Sequence, residues 1–342
     1  MKLTHSKRTG LTVAAVAVSA LALAGCSGDT SVESADAGAG LESGYGSIAE
    51  NRDAYFFTYY NPAGDPFWAQ ILQGGEDAAA LGNLELTHQT ADGDPDKMVD
   101  LVQTAIATDP ALIFMPFNEG EKWVGVACDA ADAGITVVAY NVPAPESADD
   151  CVSGFVGQDF FEVGEIVGAR LVEEAGLGSG DLVLLPAEEP EQAYAINRGG
   201  GVQASLDDVG AEGEFLRTSG NDEEALNSLT AWLTANPDVA AIAPLGGTPH
   251  RNIVAAMDAA GVTVPVVGFD TSPQVVAGIK NGDIIATADQ QGYVQGFQSV
   301  TQGVLFIDFG LSPANINSGG VGLIDSTNVE LLEDDQLEGV RF

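Results

Sequence analysis

The sequence predicts an α/β protein of two doubly wound lobes, and three observations carry that expectation. Short β-branched or aromatic runs alternate with stretches of helical periodicity from residue 54 onward, the pattern of parallel sheets covered by helices. At 342 residues the chain is longer than the roughly 250–300 residues at which a single core stops growing, so two lobes are the expected outcome. An internal echo is the third. The run Ala133-Gly134-Ile135-Thr136-Val137-Val138-Ala139-Tyr140-Asn141 is similar to Ala260-Gly261-Val262-Thr263-Val264-Pro265-Val266-Val267-Gly268-Phe269-Asp270. Each passes from a helix-ending Gly through an apolar strand to an aromatic and a carboxamide or carboxylate. Open α/β sheets bind ligands outside the carboxyl ends of their strands, so Asn141 and Asp270 are expected to face each other across a cleft.

Each element has its own signal. Residues 54–60 read as a strand, and Asp65-Pro66 then supplies an N-cap and a first-turn proline for a helix with Trp68, Ile71, Leu72, Gly75 and Ala79 on one face. A strand at 84–90 precedes a second helix opened by Asp94-Pro95, where Met98, Leu101, Val102, Ala105 and Ile106 form the apolar stripe. Residues 111–115 are almost wholly apolar, as in a strand covered on both faces. A helix at 121–133 and strands at 135–140 and 152–156 complete the first half.

The second half continues with a helix at 160–174, a strand at 182–185, a helix at 192–206 and a short strand at 214–217. Asn221 followed by Glu224 is a capping-box arrangement for a helix whose stripe is Leu226, Leu229, Trp232 and Leu233. A strand at 239–243, a helix at 252–260, a strand at 264–269, a helix at 273–280 and a strand at 284–288 follow.

Composition narrows the function. The chain is 45% apolar, enough for a core, with 50 acidic against 12 basic side chains and a formal charge of −38. A surface this negative is repelled by phosphate backbones, so no nucleic-acid partner is expected. Lys2, Lys7 and Arg8 begin a segment without acids, which continues into an apolar run from Leu11 to Ala24. At about 14 residues that run is shorter than the roughly 20 a spanning helix needs, and residues 1–25 read as a secretory signal. Leu23-Ala24-Gly25-Cys26 matches the lipobox of bacterial lipoproteins, which makes Cys26 the expected lipidated N-terminus; an ordinary cleavage site in a secreted protein is the alternative. A chain starting there would carry 9 basic and 50 acidic side chains, a charge of −41. Residues 26–51, rich in Ser, Gly, Ala, Asp and Glu, are expected to be a flexible acidic tether. Cys128 and Cys151 remain, either paired in an oxidising compartment or present as two buried thiols.

Catalytic signatures fail. There is no Walker loop, HExxH, GxSxG or paired CxxC, and beyond the leader only His88 and His250 are present. Asp92-Gly93-Asp94-Pro95-Asp96 has the first acidic spacings of a calcium loop, but Lys97 stands where Gly is required and Gln103 where a bidentate Glu is required. It reads better as a solvated loop ending in a helix cap. Glu188, Glu189 and Glu191 resemble a glycosidase acid and base only in composition, because neighbours in a loop define no separation about a sugar ring. No enzyme activity, metal or cofactor is expected.

Asn61-Pro62-Ala63-Gly64-Asp65-Pro66-Phe67-Trp68 after the first strand resembles the first binding loop of type I periplasmic sugar-binding proteins, the ribose- and galactose-binding group. Phe155-Val156-Gly157-Gln158-Asp159, Asn197-Arg198-Gly199-Gly200-Gly201 and Val266-Val267-Gly268-Phe269-Asp270 extend the resemblance over about residues 53–325. It implies two Rossmann-like lobes joined by a three-strand hinge. The lobes would comprise residues 52–158 plus 290–312, including a returning helix near 292–309, and residues 159–289 plus 313–342. It also implies a monomeric lipoprotein that clamps a neutral sugar or polyol between its lobes and delivers it to an ABC permease and ATPase. A nucleoside-binding or signalling receptor of the same fold is the alternative, and a secreted glycoside-processing enzyme a more distant one. The lactose-repressor type shares the fold but needs a DNA-binding headpiece, where this chain has a leader and an acidic tether.

By the same resemblance Asp65 bonds sugar hydroxyls, Phe67 and Trp68 form an apolar wall, and Asn141, Arg198, Asp270 and Gln290 complete the site; Asp159 and Gln192 are further candidates for it. Sugar chemistry agrees: hydroxyls lie around a ring whose faces carry C–H groups, so planar polar side chains around aromatic planes suit it. Asp65 is read as a ligand residue with the N-cap of its helix as the alternative, Arg198 has an ion pair on its own helix as its alternative, and at least one of Phe67 and Trp68 is expected to face the cleft. Three departures make room: Gly246-Gly247-Thr248 stands where ribose-like members carry Asn-Asp, Val142 replaces an Arg, and Ile196 occupies the familiar Arg position two residues before Arg198.

Overall fold

A computed structural model describes residues 44–319, 322–332 and 340, and these described residues belong to one compact unit. The expected leader, Cys26 and most of the tether lie outside the described residues. The first half alternates as its sequence predicts: β1 (Asp53–Thr58), α1 (Pro66–Leu81), β2 (Glu85–Thr90), α2 (Pro95–Ile106), β3 (Leu112–Met115), α3 (Val124–Asp132), β4 (Thr136–Asn141) and β5 (Gly154–Gly157). The second half holds α4 (Phe160–Ala175), β6 (Leu182–Ala187), α5 (Ala193–Asp207), β7 (Glu212–Arg217), α6 (Asp222–Ala235), β8 (Ala241–Ile242), α7 (Gly247–Ala260), β9 (Val267–Phe269), α8 (Pro273–Asn281) and β10 (Ala286–Ala288). Helix α9 (Gly292–Phe309) and strands β11 (Ile316–Asn317) and β12 (Leu323–Asp325) follow.

The first sheet has the order β11-β5-β4-β3-β1-β2, all parallel. The second is built from β7-β6-β8 and β9-β10-β12, joined by a parallel bridge from Ile242 to Val266, with β12 antiparallel on β10. Successive residues of β6 feed different cores, Val183 and Leu185 into one and Leu184 into the other, as the twofold period of a strand covered on both faces requires. A separate core around Phe56, Phe114 and Tyr140 fills the first half.

Two helix pairs approach closely through glycines. A Cβ on Gly296 of α9 would lie 1.8 Å from the Ile71 carbonyl of α1, and one on Gly74 would lie 2.1 Å from that of Tyr293. The α4–α5 pair repeats the device: a Cβ on Gly201 would lie 2.2 Å from the Phe161 carbonyl, and one on Gly164 would lie 2.4 Å from that of Arg198. Backbone contact of this kind sets the position of α5 and, with it, of Arg198.

Several expectations need correction. The end of the expected tether is fastened to α9: Asp308 accepts from Gly46 N at 2.6 Å and Ala49 N at 2.9 Å and pairs with Arg52 at 2.7 Å. The helix expected at 121–133 begins as a 3₁₀ turn, Gly120–Trp123, before α3. Only half of the capping box forms, because Asn221 accepts from the N–H groups of Glu223 and Glu224 while Glu224 turns to the Ser219 hydroxyl at 2.7 Å. Helix α7 starts at Gly247 rather than at 252, with Pro249 in its first turn. The tail expected in the second lobe divides, since β11 pairs with β5 of the first sheet and β12 with β10 of the second.

Cys128 of α3 and Cys151 are bonded, with Cα atoms 4.8 Å apart across 23 residues. A closed loop of that size stabilises by on the order of 3 kcal/mol through the unfolded chain. A Cys128→Ser/Cys151→Ser variant is expected to lose about that much in urea unfolding under oxidising conditions; an unchanged midpoint would show that the link contributes nothing.

Candidate ligand-binding cleft

The two strand ends singled out by the internal echo have the same unusual backbone. Asn141 closes β4 with φ 60° and Asp270 follows β9 with φ 71°. Asn and Asp are the non-glycine residues that tolerate this left-handed region best. Both are buried, and one side chain joins them: Gln290, 3% exposed, donates from Nε2 to Asp270 Oδ1, while its Oε1 accepts from Asn141 Nδ2 at 3.4 Å. Asn141 also donates to Gln295 Oε1 at 3.1 Å. The Gln290 carbonyl is itself held by Gln295 Nε2 at 3.0 Å and by the Ser318 hydroxyl at 3.1 Å.

Arg198 reaches the same place from α5. Its guanidinium lies 4.6 Å from the Phe160 ring and 4.7 Å from the Phe269 ring. Nη1 donates to the Leu245 carbonyl at 2.6 Å and stands 3.6 Å from Asp270 Oδ2. The ion pair open in the sequence therefore forms, with a partner on another element. Ile196, at the familiar Arg position, is 54% exposed.

These groups border a cavity of about 380 Å³, within the range of about 300–1,000 Å³ usual for small-molecule sites. Asp65, Phe67, Trp68, Asn141, Arg198, Asp270 and Gln290 all line it. Asp65 is also the N-cap of α1, its Oδ1 accepting from Phe67 N at 3.0 Å and Trp68 N at 3.3 Å. Burial pushes its carboxyl up to about 6; the capping N–H groups and Arg251 oppose that shift and Asp270 reinforces it. Both Phe67 and Trp68 line the cavity, although the indole is 4% exposed and meets Tyr60 and Tyr140 edge-on.

Asp159 and Gln192 require correction, for neither is among the lining residues. Asp159 spends Oδ1 on the N–H groups of Phe161 and Glu162, both at 3.0 Å, as the cap of α4. Gln192 joins two carboxylates, donating to Glu119 Oε1 at 3.1 Å and to Glu189 Oε2. Burial raises the Glu189 carboxyl, and the Tyr60 hydroxyl donates to it at 3.3 Å. The calcium-like spacing is used locally: Asp94 caps α2 and Asp92 pairs with Lys97. Among the described residues no group of three His, Cys, Asp or Glu side chains could hold a metal ion. His250 is fully buried and sits against Phe269 O at 2.7 Å through Nδ1, so the ring donates there; burial lowers its pKa to about 4.

Sequence reading missed Tyr60, Tyr194 and Arg251 and set Glu188 aside as a loop carboxylate, and all four also line the cavity. Only Gly246-Gly247-Thr248 pointed toward this side, as a place where space had been made.

A periplasmic binding protein domain model matches residues 56–310, and the chain belongs to that family. A xylose/arabinose-binding protein of Sulfolobus acidocaldarius is 24% identical over 86% of this chain and 77% of its own. A xylitol-binding protein of Mycolicibacterium smegmatis is 27% identical over 74% of this chain and 72% of its own. Among solved structures, a carbohydrate transporter from Acidothermus cellulolyticus 11B in complex with myo-inositol superposes with a TM-score of 0.77. It is 26% identical, and the match covers 85% of this chain and 100% of that one.

Asp65 makes stability depend on pH. Its folded carboxyl titrates near 6, above the ordinary 3.8, so between those values the folded chain keeps a proton the unfolded chain has lost. Stability from this group is complete below about 4 and is lost as pH rises through about 6. Asp65→Asn keeps a capping oxygen and removes the titration. Its unfolding free energy relative to wild type is expected to rise by on the order of 1–3 kcal/mol between pH 4 and 7 and then level off. A difference that does not change with pH would contradict the assignment.

Proposed function

We propose, from the premise of membership in the periplasmic binding protein family, that this chain is the extracytoplasmic solute-binding component of an ABC importer and takes a neutral sugar or polyol. The observation that carries the reading is the convergence of Asn141, Gln290 and Asp270, from both halves of the chain, on a cavity whose wall includes Phe67, Trp68 and the ring-flanked Arg198. Planar polar groups suit ring hydroxyls and the aromatic planes suit the C–H faces. The ligands for which similar proteins are named, xylose or arabinose, xylitol and myo-inositol, support this chemistry.

In this reading residues 52–158 with 290–312 act as one lobe and the remainder from 159 as the other, apart from β11, which pairs with the first sheet. Ligand contacts on both lobes are available together only in the closed form, so binding shifts the population toward it and presents a joined surface to the permease and its ATPase. Cys26 would carry the lipid that holds a monomer at the outer face of the membrane, and no nucleic acid takes part.

A thermal-shift screen over xylitol, myo-inositol, D-xylose, L-arabinose, D-ribose and nucleosides tests the reading. A ligand at 100 times its dissociation constant adds about 2.7 kcal/mol of stability. Asp270→Ala is expected to weaken the best ligand by more than about tenfold, the loss of a charged hydrogen bond. No shift with any sugar or polyol would overturn the function, and unchanged affinity in the variant would remove Asp270 from the site.

A further inference from the structure

Glu188 follows the last residue of β6, and its side chain borders the cavity. Its Oε1 accepts from the backbone N–H of Thr248 at 2.8 Å, and its Oε2 from the Tyr194 hydroxyl at 2.6 Å. Thr248 lies in the first turn of α7, where N–H groups have no acceptor within the helix. The N-cap residue of α7 is Gly246, with no side chain to offer. Glu188 therefore supplies that cap from another element. The space comes from the same glycine, because a Cβ on Gly246 would lie 1.9 Å from Glu188 Oε2.

Charge at the cavity gives this arrangement a consequence. Of the two lining guanidinium groups, Arg198 stands 3.6 Å from Asp270 and Arg251 is bonded to Asp222 at 2.7 Å. Glu188 is bonded by two neutral donors. A helix N-terminus is the natural seat for a ligand anion, and here the protein's own carboxylate occupies it. A carboxylate also offers about four acceptor positions, and the two hydrogen bonds leave others for ligand donors.

We propose that Glu188 is a specificity-determining residue: it accepts hydroxyl donors of a neutral polyhydroxy ligand and excludes sugar acids and sugar phosphates by holding the N-terminus of α7. The proposal rests on the function proposed above and names the class that site selects. The test uses calorimetric titration of the folded chain with paired probes: xylitol against D-xylonate, D-glucose against D-gluconate, and myo-inositol against its 1-phosphate. Wild type is expected to favour the neutral member of its best pair by at least 100-fold. Glu188→Gln should shrink that ratio at least tenfold, the readout a merely structural cap would not move. Gly246→Ala keeps the charge but displaces the carboxylate; it should weaken the neutral ligand at least tenfold without admitting the anion, and it decides the matter should Glu188→Gln fail to fold. A ratio unchanged in Glu188→Gln, an unaltered neutral affinity in Gly246→Ala, or a wild type that prefers the anion overturns this inference and leaves solute binding standing. A wild type that binds neither member of any pair removes this inference, and the function on which it rests falls only if the wider thermal-shift screen also finds no sugar or polyol.

Discussion

The carboxamide of Gln290 is the interaction on which the cleft depends, because it is donor and acceptor at once between two residues that need opposite partners. Asp270 offers acceptors and accepts a hydrogen bond from Nε2–H; Asn141 donates to Oε1. Both partners sit at strand ends in left-handed backbone, a conformation that persists only where its surroundings hold it. Without the amide, two buried polar groups would lose a partner, at about 1–3 kcal/mol for each one left unsatisfied. Gln290 is in turn fixed through its carbonyl by Gln295 and Ser318, so the strand ends, the segment after β10 and helix α9 hold one another.

Around that bridge the chain disposes of charge with care. A formal charge of −38 sits mostly on solvated side chains, where salt screens it over about 10 Å. Arg198 is 2% exposed, and a buried guanidinium needs more than one carboxylate to offset its lost hydration. It has the Leu245 carbonyl, Asp270 and the faces of Phe160 and Phe269, a combination of charge, dipole and cation–π contact. His250 is kept neutral under the same sheet and holds the Phe269 carbonyl, which positions the residue preceding Asp270.

What was legible in the sequence divides by the range of the interaction. The alternating elements, the proline-led helices and the paired strand ends rest on neighbours within a few residues, and they appear where periodicity puts them. The early start of α7 was not legible because its cap comes from Glu188, sixty positions away along the chain. Asp159 and Asp65 carry the same local signal, an acid just before a helix, and both do cap; only the fold separates the one that also lines the cavity. The half-formed capping box has a local cause instead: Ser219, two residues before the cap, accepts from Asn221 N and donates to Glu224, taking both groups the box would have paired. Tyr194 and Arg251 look like ordinary helix residues until the fold brings both to one cavity.

The side chains around the cavity do structural and binding work together, and this shapes how the proposed closure operates. Asp65 uses one oxygen as a cap, and Asp270 is shared between Gln290 and Arg198. Such groups are ordered before a ligand arrives, which lowers the entropy lost on binding. Beside them, Tyr60 and Gln192 join the first half of the chain to the second through Glu189 and Glu119. In the proposed closure these contacts and the ligand's own act on the same equilibrium, while the two carboxylates they bring together, Glu119 and Glu189, oppose each other; selectivity is then left to groups such as Glu188 that face the ligand itself.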